Sequence, residues 1–543
     1  WALNPRVVMP GPEMNSVTLS SASGVLRAAV EEGGDLYLVG GQRAYQVVSG
    51  SPASTAFSVH NDFKSTNNAV SAVQFLGDGY VGTVNSSNEA SDLWRVQAGA
   101  WSTGAGTGLH GYLVTTFYST ATGATPRWLA GQSSVGASID FASADPLTAA
   151  NWGAGVTIRE AGSVRITSLV SRTDHTYIGT DRGVYDFDGA TGNTVNLTPQ
   201  IEKLLDNDNG VATLSHNGWV YYGHRRGLLR VQAYGQDEGR VQDVTPGYGC
   251  MAENPVRGRI TALASWGPWV IAAVYNNTDT YICFGRDRHA DEPGIGPSPM
   301  LWHPGVIYLA DATCYLLYVS GLTTPPILWV GRNNDVSWCY LPRTENPLQD
   351  SEFRFASTYS FFTGSFDWGL PNVEKDISQW NGEIDNAGVG TSLAVNVKQD
   401  AGGFGLLGTA RTSPRSTLVP SQTVRATRFS ERWDGTGTNT AGPVVRGVTR
   451  RADILVRARE RRRYAIRLAE WDADHAGGRL PADVGKKLRR LKALPDKGPV
   501  TMRDEFGDTL TVRVHRPVDY RELEVAIDDR RKARVLVVPL EIS

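Results

Sequence analysis

The chain is predicted to be all-β: a β-propeller of about seven blades, then a β-sandwich, then a small β-rich domain with one helix at its C-terminal end. Three observations carry this prediction. A short strand ending at glycine returns about seven times between residues 24 and 342, at intervals of roughly 42 to 58 residues, the length of one four-stranded blade. Fifty-nine glycines sit with Ser, Thr and Asn between short runs of Val, Tyr and Trp, and supply the positive-φ positions that tight turns need. The links between strands are too short for parallel crossovers, so the strands meander.

Residues 1–23 read as a lead-in. Their first residue is Trp1 rather than Met, from which we expect that something upstream was cleaved or is not included. The propeller spans 24–345. Its phrase reads Leu36-Tyr37-Leu38-Val39-Gly40, Tyr80-Val81-Gly82, Trp128-Leu129-Ala130-Gly131, Tyr177-Ile178-Gly179, Trp219-Val220-Tyr221-Tyr222-Gly223, Trp269-Val270-Ile271-Ala272-Ala273 and Ile327-Leu328-Trp329-Val330-Gly331. The fourth copy is the most regular. In it, alternation places Val184 and Asp186 on one face of a strand and Tyr185 and Phe187 on the other. The terminal glycine has a geometric reading: strands converging on an axis approach closely, and a residue without Cβ fits there.

After the repeats, 346–385 read as a ring-closing or exit segment whose strand, 353–362, completes an outer position of an early blade. Alternating strands at 392–397, 422–429 and 452–457 place the sandwich at 386–470. The last part, 471–543, reads as a small docking domain. Its helix, 481–494, has Pro near its start and Val484, Leu488 and Leu491 on one face.

A hydrophobic content of 41% and a charged content of 20% belong to a globular protein. The net charge of -2 is uneven, because residues 446–543 hold 24 Lys and Arg against 16 Asp and Glu. Arg457, Arg459, Arg461, Arg463, Lys486 and Arg490 are the docking candidates of this basic end. Acidic residues interleave with them and no stacking-aromatic motif accompanies them, so an acidic neighbour or a solvated face is favoured over nucleic acid. The four cysteines form no CxxC pair; Cys283 and Cys314 sit in apolar strands as buried thiols, and one disulfide stays open. No run of about 18 apolar residues and no signal-peptide pattern is present, so no membrane span is expected.

The search for chemistry nominates no catalytic residue and no cofactor. Asp140, Asp186, Asp188, Asp279 and Asp287 lie near strand ends and could converge on the axis as a glycosidase pair, or simply cap turns. Asp206 and Asp208 open a stretch resembling a calcium loop, but no acid follows at its twelfth position, and an Asx-rich turn is the stronger reading. His216 and His224, or His289 and His303, lack ligand spacing, and no HExxH, GxSxG or Walker pattern occurs. Trp94, Trp101 and Trp302 are candidate glycan contacts, with blade-to-blade packing as their alternative role.

Three stretches carry a family likeness: Tyr177-Ile178-Gly179-Thr180-Asp181-Arg182-Gly183-Val184-Tyr185 in the repeats, 364–375 at the exit, and Val444-Val445-Arg446-Gly447-Val448 before the basic strand. The ending at 498–508 and the final strand at 535–540 add to it. In this layout the chain resembles the propeller-bearing minor tail proteins of long-tailed bacteriophages. The resemblance implies a virion structural protein at the tail tip rather than an enzyme. Its implied partners are other tail proteins and a host-surface glycan or protein receptor, and its implied state is a homo-oligomer, a trimer foremost. On this expectation, residues from about 345 onward anchor the chain while the propeller projects. The alternative is a secreted carbohydrate-active or glycan-binding propeller with accessory sandwich modules.

Overall fold

Six four-stranded antiparallel sheets, each pairing its strands in sequence order, follow one another along the chain, and a seventh sheet is built on Cys314–Ser320, Ile327–Arg332 and Asp335–Tyr340. The fourth is built from Ile166–Arg172, His175–Thr180, Val184–Asp188 and Thr194–Asn196. The first strands of the seven sheets are Leu26–Glu32, Asn68–Phe75, Val114–Tyr118, Ile166–Arg172, Thr213–His216, Arg259–Trp266 and Cys314–Ser320. Each adjoins the first strand of the next sheet, and the seventh adjoins the first. These are seven blades around one axis, innermost strand first.

The computed structural model describes residues 8–454 apart from short stretches, the longest being 105–112, 119–126, 200–205, 234–239, 247–255 and 289–298; beyond 454 it describes strand backbones. The chain forms two compact units: residues 1–371 with 376–452, and residues 372–375 with 453–543.

The ring closes differently from the sequence expectation. Asn15–Leu19, within the supposed lead-in, is the fourth strand of the seventh blade and pairs antiparallel with Asp335–Tyr340, Val17 opposite Val336. Its end also runs parallel to Ala56–Phe57 in the link before the first blade's outer strand. The outer position of the closing blade is therefore occupied, and the segment after residue 345 has no ring edge to complete. Phe353 and Phe355 instead enter a core with Trp269, Phe284 and Leu328 of the sixth and seventh blades. Thr358–Phe362 leaves the propeller altogether and pairs with Phe429–Thr436.

That pairing also moves the start of the sandwich from 386 back to 358. One sheet runs Thr358–Phe362, Phe429–Thr436, Ser392–Gln399, Phe404–Ala410. The other runs Arg415–Leu418, Lys375–Asp385, Arg425–Ala426, with Val444–Ile454 also paired to Lys375–Asp385. Alternation turns Leu393, Val395, Val397 and Trp433 toward Ile377, Trp380 and Ile384. Each fully buried aliphatic or aromatic side chain of this kind contributes roughly 1.5–3 kcal/mol.

A buried carboxylate lies in the sandwich interior. Glu431 is fully buried, and Arg450 clamps it with Nε at 2.6 Å and Nη2 at 2.7 Å. Trp433 Nε1 donates to the same carboxylate at 2.8 Å, and the Arg450 guanidinium covers the Phe366 ring at 4.6 Å. The charge is thus paired and hydrogen-bonded, as burial of a carboxylate requires.

The second unit contains a sheet in the order Arg462–Ala469, Arg531–Ile542, Arg521–Asp528, and two hairpins, Trp471–Ala473 with Arg479–Pro481 and Pro499–Arg503 with Thr509–Arg513. The helix expected at 481–494 lies outside the described residues beyond Pro481. No helix among the described residues is long and apolar enough to cross a membrane.

Candidate functional site

The repeated glycine and the axis are linked by a backbone irregularity. In five blades the innermost strand carries one extra residue near its start, facing the end of the second strand: Arg27, Val70, Thr167, Thr261 and Tyr315. Such a bulge bends the strand and re-aims its side chains. It also presses the innermost backbone onto its neighbour. A Cβ on Gly40 would stand 2.4 Å from Leu26 Cα, and one on Gly331 would stand 2.9 Å from Leu316 Cβ. At these two positions glycine is needed on the second strand, opposite the bulge, whereas the sixth blade accommodates Ala273 there.

At this end of the axis three consecutive blades contribute a contiguous arc. The Arg27 guanidinium lies over the Tyr315 ring at 5.1 Å. Tyr315 Oη accepts from Arg259 Nη2 at 3.3 Å, and Arg259 in turn lies over the Tyr275 ring at 5.1 Å. Arg27 is exposed and has no carboxylate partner among the described residues. Arginine stacked on an aromatic face keeps its in-plane donors available.

Asp206 and Asp208 stand beside this arc, each paired with an arginine. Asp206 pairs with Arg225 at 3.2 Å and accepts the Asp208 amide at 3.0 Å, an Asx turn. Asp208 is ion-paired to Arg259. Both carboxylates are committed to guanidinium groups, and no cluster of three His, Cys, Asp or Glu with metal-binding geometry occurs among the described residues.

The other aspartates do not converge on the axis. Asp140, Asp186, Asp188 and Asp287 lie on the third strands of their blades, away from the innermost ones. Asp186 meets His175 Nδ1 at 2.9 Å, Asp140 accepts the Gly155 amide at 3.0 Å, and Asp287 pairs with Arg230 of the fifth blade. Asp279, in the preceding turn, accepts the Asp311 amide at 3.0 Å.

The structure gives the three candidate tryptophans to contacts between blades. Trp94 and Trp101 of the second blade meet Phe63 and Tyr37 with ring centroids 5.3 to 5.7 Å apart, and Trp101 Nε1 donates to His60 Nδ1 at 2.9 Å. Trp302 of the sixth blade covers Gly285, and its Nε1 donates to Val244 O of the fifth at 2.7 Å.

His216 and His224 occupy different strands of the fifth blade, and His289 lies outside the described residues. Burial beside Trp269, reinforced by the Arg286 charge, holds His303 well below the usual histidine range. Cys283, Cys314 and Cys339 are free and buried, and burial pushes the Cys314 thiol up to about 12; Cys250 lies outside the described residues.

Of the docking candidates, Arg463 lies in Arg462–Ala469 with its backbone opposite Glu541. Arg457, Arg459, Arg461, Lys486 and Arg490 lie outside the described residues. Sequence reasoning did not single out the arc or the sandwich surface. Of the twelve exposed large apolar side chains among the described residues, seven belong to the sandwich region: Phe361, Phe362, Trp368, Leu370, Val389, Leu406 and Val419. A cleft of about 460 Å³ opens beside the Pro347–Gln349 turn, and the ion pair of Arg446 with Asp385 lies in its wall.

No family model and no curated protein matches the chain. Among solved structures it is similar to the extracellular domain of a one-component system of B. thetaiotaomicron, with 12% identity and a TM-score of 0.42 over 61% of this chain and 40% of that one. It is also similar to the AfRom2 CNH domain, at 12% identity and TM-score 0.37 over 61% of this chain and 99% of that one. A third is the PQQ-bound aldose sugar dehydrogenase of Streptomyces coelicolor, at 12% identity and TM-score 0.30 over 49% and 93%. The chain spans 40% of the length of the first of these. Likenesses this distant carry no functional argument.

Proposed function

We propose that the chain is a non-catalytic structural component of a bacteriophage tail tip, with the propeller displayed for host-surface attachment and the region after it docking on tail subunits. One observation carries the reading: exposed apolar side chains concentrate in the sandwich, where a solvated surface would be disfavoured and a docked one is not. The aspartates of the blades support it, being engaged with arginine, histidine or backbone amides rather than gathered at the axis. The test is incorporation into particles of the full chain carrying Leu406→Asp and Val419→Asp. Both positions are exposed, so the fold tolerates the change. Incorporation should fall at least about tenfold; normal incorporation overturns the reading.

The glycan-binding alternative has one observation in its favour, Arg27 stacked on Tyr315 at the axis without a carboxylate partner among the described residues. It predicts that anionic oligosaccharides on a glycan array retain the protein, and that Arg27→Ala releases them. An array with no Arg27-dependent signal removes this reading.

A further inference from the structure

We infer that Thr358–Phe362 is a self-complementary edge that joins two copies of this chain through continuous β-pairing of their sandwiches. The inference rests on the docking role of the sandwich surface and names the partner of one part of it.

Thr358–Phe362 is the outermost strand of its sheet, with Phe429–Thr436 on one side and no strand among the described residues on the other. The register fixes which backbone groups are free. Thr363 N donates to Glu431 O at 2.9 Å and Gly437 N donates to Ser357 O at 2.7 Å. Hydrogen-bonded positions alternate along an antiparallel pair. Tyr359 and Phe361 therefore bond inward, and the N–H and C=O groups of Thr358, Ser360 and Phe362 point away from the sheet.

Those three residues suit a second copy of the same strand. Antiparallel pairing about a two-fold axis at Ser360 sets Ser360 against Ser360 and Thr358 against Phe362, so every outward N–H finds an outward C=O. On the alternate positions Tyr359 faces Phe361, a favourable aromatic cross-strand pair. Phe361 and Phe362 are 37% and 45% exposed in the single chain, large values for phenylalanine.

Charge points the same way. Open edges are normally blunted by charged residues or proline. In the other sheet of this sandwich every strand paired with Lys375–Asp385 carries arginine, Arg415, Arg425 and Arg451 among them. From Ser357 to Phe366 there is neither a charge nor a proline, so the pairing strands set no like charges against each other, and Asp434, which accepts from Ser360 Oγ at 2.6 Å, is neutralised by Arg432.

The experiment measures the mass in solution of the full chain, 58.8 kDa as a single copy, by light scattering at tens of micromolar. We expect twice that mass, falling to the single-copy value in Ser360→Lys, which sets two ammonium groups face to face. As a second measurement independent of that variant's fold, Ser360→Cys treated with a short bis-maleimide should give a covalent two-copy band absent from the parent protein. A single-copy parent, a three-copy parent, an undiminished mass in Ser360→Lys, or no band from Ser360→Cys each overturns the inference. Particle incorporation is scored separately, so Ser360→Lys that is single-copy yet incorporated separates this contact from docking on the tail.

Discussion

The propeller and the sandwich are made of the same material, short antiparallel strands with apolar residues on alternate positions, yet they treat their boundaries in opposite ways. The propeller passes each blade's faces to its neighbours and fills the last outer position with Asn15–Leu19. Its described surface shows five large exposed apolar residues spread from Val48 to Tyr308. The sandwich shows seven between Phe361 and Val419, and both outer strands of one of its sheets, Thr358–Phe362 and Phe404–Ala410, carry no charge. Completeness in the first region and incompleteness in the second separate a self-contained body from one shaped to be covered.

The sharpest way to divide the two regions is to strike the buried charge of the sandwich. Arg450→Ala leaves Glu431 buried without its counter-ion and should cost about 3–5 kcal/mol. Hydrogen exchange should accelerate in Thr358–Phe362 and Phe429–Thr436 while the fourth blade stays protected. Equal loss in both would show that they unfold as one.

Leu19→Ala strikes the ring instead. Leu19 is buried in the closing strand, and the truncation should cost about 2–4 kcal/mol, read by denaturant titration. Here the exchange pattern reverses, with the first and seventh blades opening before the sandwich. A smaller effect follows from Gly40→Ala, where a methyl group meets the Leu26 backbone; overpacking of this kind should cost roughly 1–3 kcal/mol. No change in stability would mean that the bulge relaxes freely.

The mildest comparison uses pH. Residues 358–454 contain no histidine, whereas the propeller holds His303 with its proton affinity depressed. The unfolded chain takes up that proton near pH 6.5 and the folded chain does not, so the contribution is complete above that pH and is lost as pH falls. Between pH 7 and 5 the propeller should lose on the order of 1 kcal/mol that His303→Phe retains. A melting curve of that variant with an unchanged pH slope would assign the loss elsewhere.

The repeats were legible because a blade is a local object. Its turns, its alternation and its glycine lie within one stretch of chain, so Tyr177-Ile178-Gly179 and Thr180-Asp181-Arg182-Gly183 announce a hairpin without help from the rest. Ring closure was not legible, because Val17 and Val336 meet across the whole array and neither carries a mark of the other. Thr358–Phe362 was recognisable as a strand, but its partner was decided by which edge stood free. The site candidates divide in the same way. Trp94, Trp101 and Trp302 differ from exposed tryptophans only through neighbours on another blade, such as Phe63 and Val244. Within the arc only Arg27 had a signal, since like Thr167 and Thr261 it stands at nearly constant distance before a phrase-ending residue, here Gly40, Gly179 and Ala273, whereas Tyr315 and Arg259 break that spacing.

Closure by Asn15–Leu19 also sets an order of events during synthesis. This strand is synthesised before every blade, and its partner Asp335–Tyr340 is among the last segments of the propeller. Its apolar Val17 and Leu19 must wait unpaired while six blades are made. Contacts that join such distant points of a chain form slowly, since the loop between them must first be closed. A nascent chain halted before residue 335 lacks the third strand of its seventh blade and leaves Asn15–Leu19 without its antiparallel partner. The molecule is thereby committed to finishing its propeller in a single late step, and a second chain's N-terminal strand is the natural intruder at that moment.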